Sequence, residues 1–188
     1  MRCFVAIRLP DQINRELGRQ IRYLEGTGAA VRWVKEENLH LTLKFLGDVQ
    51  DDEVRDVDRA LKEVNSPPMS LLLSDLGYFP PKGKPRVVWA GLAGDIDALV
   101  GLAADIEARV GPLGYPPEQR AFRAHLTIGR VKGPRNLDQL TLAIQKRGGQ
   151  LSTPAVDIDA FTLYQSELGK GGPSYYKIGT YPLAPPGG

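Results

Sequence analysis

Two stretches of the chain carry the same frame: Asn38-Leu39-His40-Leu41-Thr42-Leu43-Lys44-Phe45-Leu46-Gly47 and Arg123-Ala124-His125-Leu126-Thr127-Ile128-Gly129-Arg130. In each stretch a histidine is followed by an apolar residue, a threonine and a second apolar residue. The 188-residue sequence contains 2 histidines, and both lie in this frame. Histidine has the side-chain pKa closest to neutral pH, so its repeated use in one context indicates paired proton transfer.

Each frame predicts a β-strand with one polar and one apolar face, because alternate side chains of a strand point to the same side. His40, Thr42 and Lys44 are predicted to share the open face of the first strand. Its opposite face, expected in the core, consists of Leu41, Leu43 and Phe45. His125 and Thr127 are predicted on the open face of the second strand. The residues expected behind them are Leu126 and Ile128.

The apolar periodicity predicts the same order of elements twice: strand, helix, loop, histidine-bearing strand, helix, strand. Phe4 precedes His40 by 36 positions, and Val88 precedes His125 by 37. We therefore predict a single α+β domain over residues 1–188, built of two pseudo-symmetric lobes that face each other across a cleft. The final strands are predicted over 156–166 and 173–181.

The overall composition is that of an ordinary globular protein, with 42% hydrophobic and 24% charged residues. A formal net charge of +2 argues against a protein that coats DNA but allows a local basic cleft. The single cysteine, Cys3, excludes an intrachain disulfide. No apolar segment reaches the length of a membrane span. We expect a cytoplasmic monomer with no membrane partner.

Two imidazoles and two hydroxyls in one cleft suit general acid–base catalysis on a phosphodiester. One imidazole can take a proton from water while the other protonates the leaving oxygen. The threonine hydroxyls can donate hydrogen bonds to the phosphate. A zinc site is the main alternative use of the histidines, but catalytic zinc usually has three protein ligands, and no further ligand motif is present. We expect neither a metal nor another cofactor.

Both stretches resemble the paired signatures of the 2H phosphoesterase superfamily, and in particular its RNA 2′,3′-cyclic phosphodiesterase branch, also called 2′-5′ RNA ligase. Further similarity lies in Arg2-Cys3-Phe4-Val5-Ala6-Ile7, Val88-Trp89-Ala90-Gly91 and Leu163-Tyr164-Gln165-Ser166-Glu167-Leu168. The resemblance implies a bilobal α+β fold with two antiparallel sheets around a cleft. It also implies hydrolysis of RNA 2′,3′-cyclic phosphate ends to 2′-phosphates, with weak, reversible 2′-5′ joining of RNA or tRNA-like ends.

The resemblance implies roles for individual residues as well. His40 corresponds to the proton donor to the departing 3′ oxygen, and His125 corresponds to the proton acceptor from water. Thr42 and Thr127 correspond to phosphate ligands. Arg130 is a further candidate for binding the phosphate, but strand alternation places it away from His125 unless a bulge at Gly129 turns it inward.

Other residues allow both a structural and a functional interpretation. Lys44 could steer RNA or be a solvated lysine at the rim, and Phe122 is better explained as a core residue than as a base-stacking one. A basic cluster of Lys82, Lys84 and Arg86 could line a path for nucleic acid but is more typical of a solvated loop.

Two other functions stay open from the sequence. The chain could be a module that binds RNA ends or nucleotides without turning them over. It could also be an enzyme of the same superfamily that acts on a small cyclic phosphate, such as ADP-ribose 1″,2″-cyclic phosphate. Identification of the product and relative rates on RNA and on the small substrate would separate the three functions.

Overall fold

The computed structural model describes residues 1–119, 121–170 and 172–184; Arg120, Gly171 and residues 185–188 lie outside this description. The strands are β1 Arg2–Ile7, β2 Val31–Trp33, β3 Leu41–Asp48, β4 Met69–Phe79, β5 Val87–Gly94, β6 His125–Val131, β7 Val156–Ile158, β8 Ala160–Gly169 and β9 Gly172–Pro182. The α-helices are α1 Asp11–Glu25, α2 Val54–Lys62, α3 Ile96–Val110 and α4 Leu137–Gly148. Short 3₁₀ turns cover Glu36–Asn38 and Gly111–Leu113.

The strands form two antiparallel sheets, which confirms the predicted α+β class. One sheet has the strand order β3-β1-β8-β9, and the other has the order β2-β6-β5-β4-β7. Each histidine motif lies on a different sheet, at β3 and at β6. These two motif strands nevertheless contact each other, so the sheets meet where the motifs are.

The halves of the chain exchange strands between the sheets. The strand β4 leaves the first half to pair with β5, and β8 leaves the second half to pair with β1. The predicted strand over 156–166 was wrong in one respect, because two strands of different sheets occupy it. Its first part, β7, pairs with β4, and the chain changes sheets at Asp159, whose carbonyl accepts a hydrogen bond from the Leu183 N–H.

Helices cover the apolar faces of both sheets. The helix α3 packs against β3 and β4, with α2 beside it, while α4 packs against β4 and contacts α1. The strands contribute fully buried side chains that include Val5, Ile7, Leu41, Val88, Ala90, Leu126 and Ile128. Burial of such apolar area is the main source of folding free energy. Among the described residues, no helix is long and apolar enough to cross a membrane.

Both motif strands contain a β-bulge at the fourth residue of the motif. In β3, Thr42 lies opposite Ala6 and Lys44 lies opposite Val5, so Leu43 is the extra residue. In β6, Thr127 lies opposite Trp89 and Gly129 lies opposite Val88, and the extra residue is Ile128. A bulge shifts strand alternation by one position, so the side chains that follow it point to the opposite side from the one predicted, in β3 as far as a second irregularity at Leu46.

Candidate active site

His40 immediately precedes β3 and is held by its own backbone. Its Nδ1 lies 2.7 Å from the carbonyl oxygen of Asn38. Because a carbonyl only accepts hydrogen bonds, Nδ1 carries the hydrogen and Nε2 is the nitrogen available for proton exchange. Burial lowers the pKa of His40 below its ordinary value, and the hydrogen bond to Asn38 partly opposes this effect.

Aromatic rings enclose His40 on the open face of its sheet. The His40 ring centroid lies 4.9 Å from that of Phe4 and 5.1 Å from that of Tyr175, which it meets edge to face. Phe4 also stacks on Tyr164 at 5.4 Å. Asn38 donates a hydrogen bond of 2.9 Å to the carbonyl of Pro173 and thereby anchors the start of β9 beside the histidine.

A cavity of about 460 Å³ opens next to His40. Its walls combine the Phe4, Tyr164 and Tyr175 rings with the cations Arg8 and Lys35. Flat apolar rings beside positive charge suit a ligand with an aromatic base and a phosphate.

His125 is the first residue of β6 and stacks on an indole. Its ring lies parallel to that of Trp89, with a 3.8 Å centroid separation and a 9° angle between the planes. Phe79 contacts both rings, at centroid distances of 5.4 Å. Burial lowers the pKa of His125; the Asp75 carboxylate opposes this effect, while the Arg123 guanidinium adds to it.

Thr42 and Thr127 lie two residues beyond their histidines and before the bulges, so strand alternation holds for both. Each threonine is half-buried. Within the described ranges neither hydroxyl takes part in a protein hydrogen bond, which leaves both able to donate to a ligand.

Arg130 lies beyond the bulge of β6. From the sequence it could point away from His125, or toward the same face if the strand bulges, and its position in the structure decides between these two orientations. In register it pairs with Val87 of β5, two positions from the Trp89 that pairs with Thr127. Arg130 therefore shares the face of His125 and Thr127, with the bulge at Ile128 rather than at Gly129. Its positive charge lowers the pKa of Tyr175, which burial otherwise raises. Tyr175 contacts His40, so the charge of Arg130 on the second motif strand affects a ring that lies beside the first motif histidine.

Arg32 of β2 lies directly opposite Arg130 in the same sheet. Both side chains are exposed, and neither forms an ion pair with any described residue. Like charges at directly opposite positions destabilise a sheet. An anion bound between the two guanidinium groups would relieve that repulsion.

Lys44 and Phe45 follow the first bulge, and both were predicted on the wrong face. Lys44 is buried, with its Nζ 3.2 Å from Glu107 Oε1 and bonded to the Pro116 carbonyl. It therefore holds α3 and the segment after it against β3, and it does not line the cleft. Phe45, expected in the core, is 57% exposed and lies opposite Phe4.

Other sequence predictions fall outside the immediate site. Phe122 is partly buried against the core, as expected. Lys82, Lys84 and Arg86 lie in and after the exposed loop that follows β4. In the described part of the chain, no group of three or more metal-ligating side chains comes together.

Several residues of the site were missed from the sequence: Phe4, Arg32, Asp75, Trp89 and Tyr175. All lie on other strands of the same sheet as one of the motif strands. Long-range strand register places them, and that register cannot be read from local periodicity. For the three aromatic residues and Arg32, residue type was the available signal, since aromatic and arginine side chains on open strand faces often bind ligands.

A family model described as LigT-like phosphoesterase matches residues 7–89 and 92–175. An RNA 2′,3′-cyclic phosphodiesterase from Archaeoglobus fulgidus is 34% identical, covering 93% of this chain and 96% of that protein. Another from Methanothermobacter thermautotrophicus is 32% identical, covering 97% and 99%.

Solved structures agree with the sequence relatives. A Thermus thermophilus protein superimposes with a TM-score of 0.81 at 26% identity, covering 97% of this chain and 98% of that one. Escherichia coli LigT in complex with 3′-AMP gives a TM-score of 0.76 at 26% identity, covering 98% of each chain. The two motifs, the two-sheet fold and these likenesses agree, and this chain belongs to the LigT-like phosphoesterase family of the 2H superfamily.

Proposed function

We propose that this enzyme hydrolyses RNA 2′,3′-cyclic phosphate ends to 2′-phosphomonoesters by metal-independent catalysis with two histidines. The observation that carries the proposal is the meeting of β3 and β6, which brings two identically built motifs from different sheets together. In-line displacement at phosphorus needs a base and an acid on opposite sides, and one histidine from each of the two motif strands can supply them. The named activity of the sequence relatives supports the same substrate class.

His125 takes the proton from the attacking water, and His40 gives a proton to the departing 3′ oxygen. The P–O3′ bond breaks as the new P–O bond forms, so the products are a 2′-phosphate and a 3′-hydroxyl. At His40 the bond from Nδ1 to the Asn38 carbonyl leaves Nε2 to carry the transferred proton. A bound anionic phosphate raises the pKa of both imidazoles and thereby opposes the effect of burial on the acid.

Thr42, Thr127 and Arg130 bind the non-bridging oxygens. The threonine hydroxyls supply neutral donors from the two sides of the cleft, and the guanidinium supplies charge-assisted donors. Arg32, opposite Arg130, adds a second cation for which an adjoining RNA phosphate is a suitable ligand.

Product analysis tests this proposal most directly. Purified protein is incubated with 2′,3′-cyclic AMP and with an RNA oligomer that ends in a cyclic phosphate, and the products are separated by chromatography. The expected product is the 2′-phosphate, formed equally well in EDTA, with the His40→Ala/His125→Ala double variant as the control for contaminating nucleases. A 3′-phosphate, or a requirement for added zinc, would contradict the mechanism. Tight binding without turnover would identify a binding module instead.

The same site can join RNA ends when a 5′-hydroxyl replaces water as the nucleophile. Attack on the cyclic phosphate then forms a 2′-5′ linkage and again releases the 3′ oxygen. Incubation of a cyclic-phosphate oligomer with a 5′-hydroxyl oligomer should give a small yield of a product that resists 3′-5′-specific nucleases. Parallel rates on ADP-ribose 1″,2″-cyclic phosphate would show whether RNA or a small molecule is preferred.

A further inference from the structure

The Nδ1 atom of His125 is buried and has no hydrogen-bond partner among the described residues. Buried polar atoms are nearly always paired, and each exception calls for an explanation. The contrast with His40 is direct, because the Nδ1 of His40 is bonded to a backbone carbonyl. A neutral imidazole acts as a base through Nε2 only when Nδ1 holds the hydrogen, so something must select that tautomer at His125.

The one carboxylate that affects the pKa of His125 belongs to Asp75 on β4. Gly91 of β5 lies between them, paired with His125 on one side and with Asp75 on the other. A Cβ at Gly91 would overlap the Oδ1 atom of Asp75. The carboxylate therefore lies over the backbone of β5, in space that only a glycine leaves open, and leans toward His125.

The local structure holds the carboxylate in place. Ser74, the bulged residue of β4, donates a hydrogen bond of 3.0 Å from its hydroxyl to Asp75 Oδ1. Trp89 stacks on the histidine ring and limits its rotation. The ring is thus restrained on one face, while its buried Nδ1 has no hydrogen-bond partner among the described residues.

We propose that Asp75 is the positioning residue for His125, accepting the Nδ1–H through one bridging water or after a small side-chain rotation, and so keeping Nε2 free to take a proton. This inference rests on the proposed function, in which His125 is the base. The geometry of Asp75, Gly91 and His125 is the ground for it. The other charged group that affects the ring is Arg123, which precedes β6 and acts in the opposite direction.

Nuclear magnetic resonance tests the contact without any substrate. With 2 histidines in the sequence, ¹⁵N-labelled protein gives two sets of imidazole signals, and the His40→Ala variant assigns them. In the wild type we expect the neutral His125 ring to be protonated at Nδ1. In Asp75→Asn we expect a mixture of tautomers and a lower pKa for His125, because a negative charge has been removed. Asp52→Asn, which removes an exposed carboxylate of the same charge, should change neither quantity.

Kinetics then link the contact to the reaction. Asp75→Asn should lower kcat/KM about 10- to 100-fold, as loss of orienting partners does for metal-bound histidines, and should move the acidic limb of its pH profile downward. Gly91→Ala displaces the Asp75 carboxylate. It should therefore also lower kcat/KM and move the acidic limb of the pH profile to lower pH. An unchanged His125 tautomer and pKa in Asp75→Asn would overturn the proposal, and so would an altered tautomer with unchanged kcat/KM. A wild-type protein inactive on every cyclic phosphate would instead refute the proposed function, while the spectra would still decide the contact.

Discussion

The two histidine motifs have the same backbone but different neighbours. Each histidine lies at the start of its strand, His40 just before β3 and His125 as the first residue of β6; both threonines follow two residues later, and both strands bulge at the next position. Beyond the bulges the motifs differ: Phe45 occupies the cleft face of one sheet, and Arg130 occupies that of the other. His40 is bonded to a neutral carbonyl, whereas His125 lies near a carboxylate. A repeated motif can therefore set equivalent positions for two histidines, while the surrounding residues give each ring a different environment.

Removal of either imidazole is the strongest test of this pairing. His40→Ala and His125→Ala should each lower kcat by about 10²- to 10⁴-fold, the usual contribution of a general acid or base. Initial rates on 2′,3′-cyclic AMP measure the effect, and circular dichroism checks that the fold is kept. If one variant kept near-full activity, the two histidines would not act as a pair.

The residues beyond the bulges should differ most sharply in function. Arg130→Ala should lower kcat/KM about 10- to 100-fold, in line with the loss of a hydrogen bond from a charged group, and Arg130→Lys should restore only part of it. Phe45→Ala, at the corresponding cleft position of the other sheet, should cost only a few-fold. Equal losses of kcat/KM in Arg130→Ala and Phe45→Ala would show that the difference between these two positions does not affect catalysis.

Arg32 should matter more for RNA than for a mononucleotide. Because it lies beside Arg130 and not on a motif strand, Arg32→Ala should weaken binding of a cyclic-phosphate oligomer severalfold and reduce the salt dependence of that binding. Its effect on 2′,3′-cyclic AMP should be smaller. Titrations of oligomer binding at several salt concentrations provide the measurement, and Lys62→Ala, remote on α2, is the control.

The pH dependence follows from the burial of both imidazoles, which lowers both pKa values. The base must be neutral and the acid protonated, so kcat/KM should follow a bell-shaped curve. Because both limbs are shifted down in the free enzyme, its maximum should lie below the ordinary histidine pKa of about 6.5. The bound phosphate raises both pKa values, so the curve for kcat should lie at higher pH. A kcat/KM maximum in the alkaline range would contradict this assignment.

Replacement of Lys44 should have the smallest effect on activity, because this residue is expected to stabilise the fold and not to bind the substrate. Since its ammonium group is buried against Glu107 and the Pro116 carbonyl, Lys44→Ala should destabilise the fold by about 1–3 kcal/mol, the cost of leaving buried partners unpaired. Urea denaturation measures that loss. RNA binding at low temperature should stay close to that of the wild type. Lys177→Ala, an exposed lysine on β9, should leave stability unchanged.

The sequence predicted most of the fold, and within the site it predicted correctly up to the bulges. Strand alternation placed His40, Thr42, His125 and Thr127 correctly because no irregularity interrupts the strand between them. It placed Lys44 and Phe45 on the wrong faces because an extra residue in a strand has no distinct sequence signal. Asp75 and Trp89 could not be assigned to His125, since their proximity depends on register between strands far apart in the chain.

The exchange of β4 and β8 ties the two halves of the polypeptide into one cooperative unit. A cut in the loop between β4 and β5 would leave each fragment without a central strand of the sheet it begins. Separate fragments should therefore remain unfolded, and they should recover a working cleft only when mixed. The two halves of the chain are thus held together by interlaced strands, and pulling one half away from the other would require strand pairs to separate.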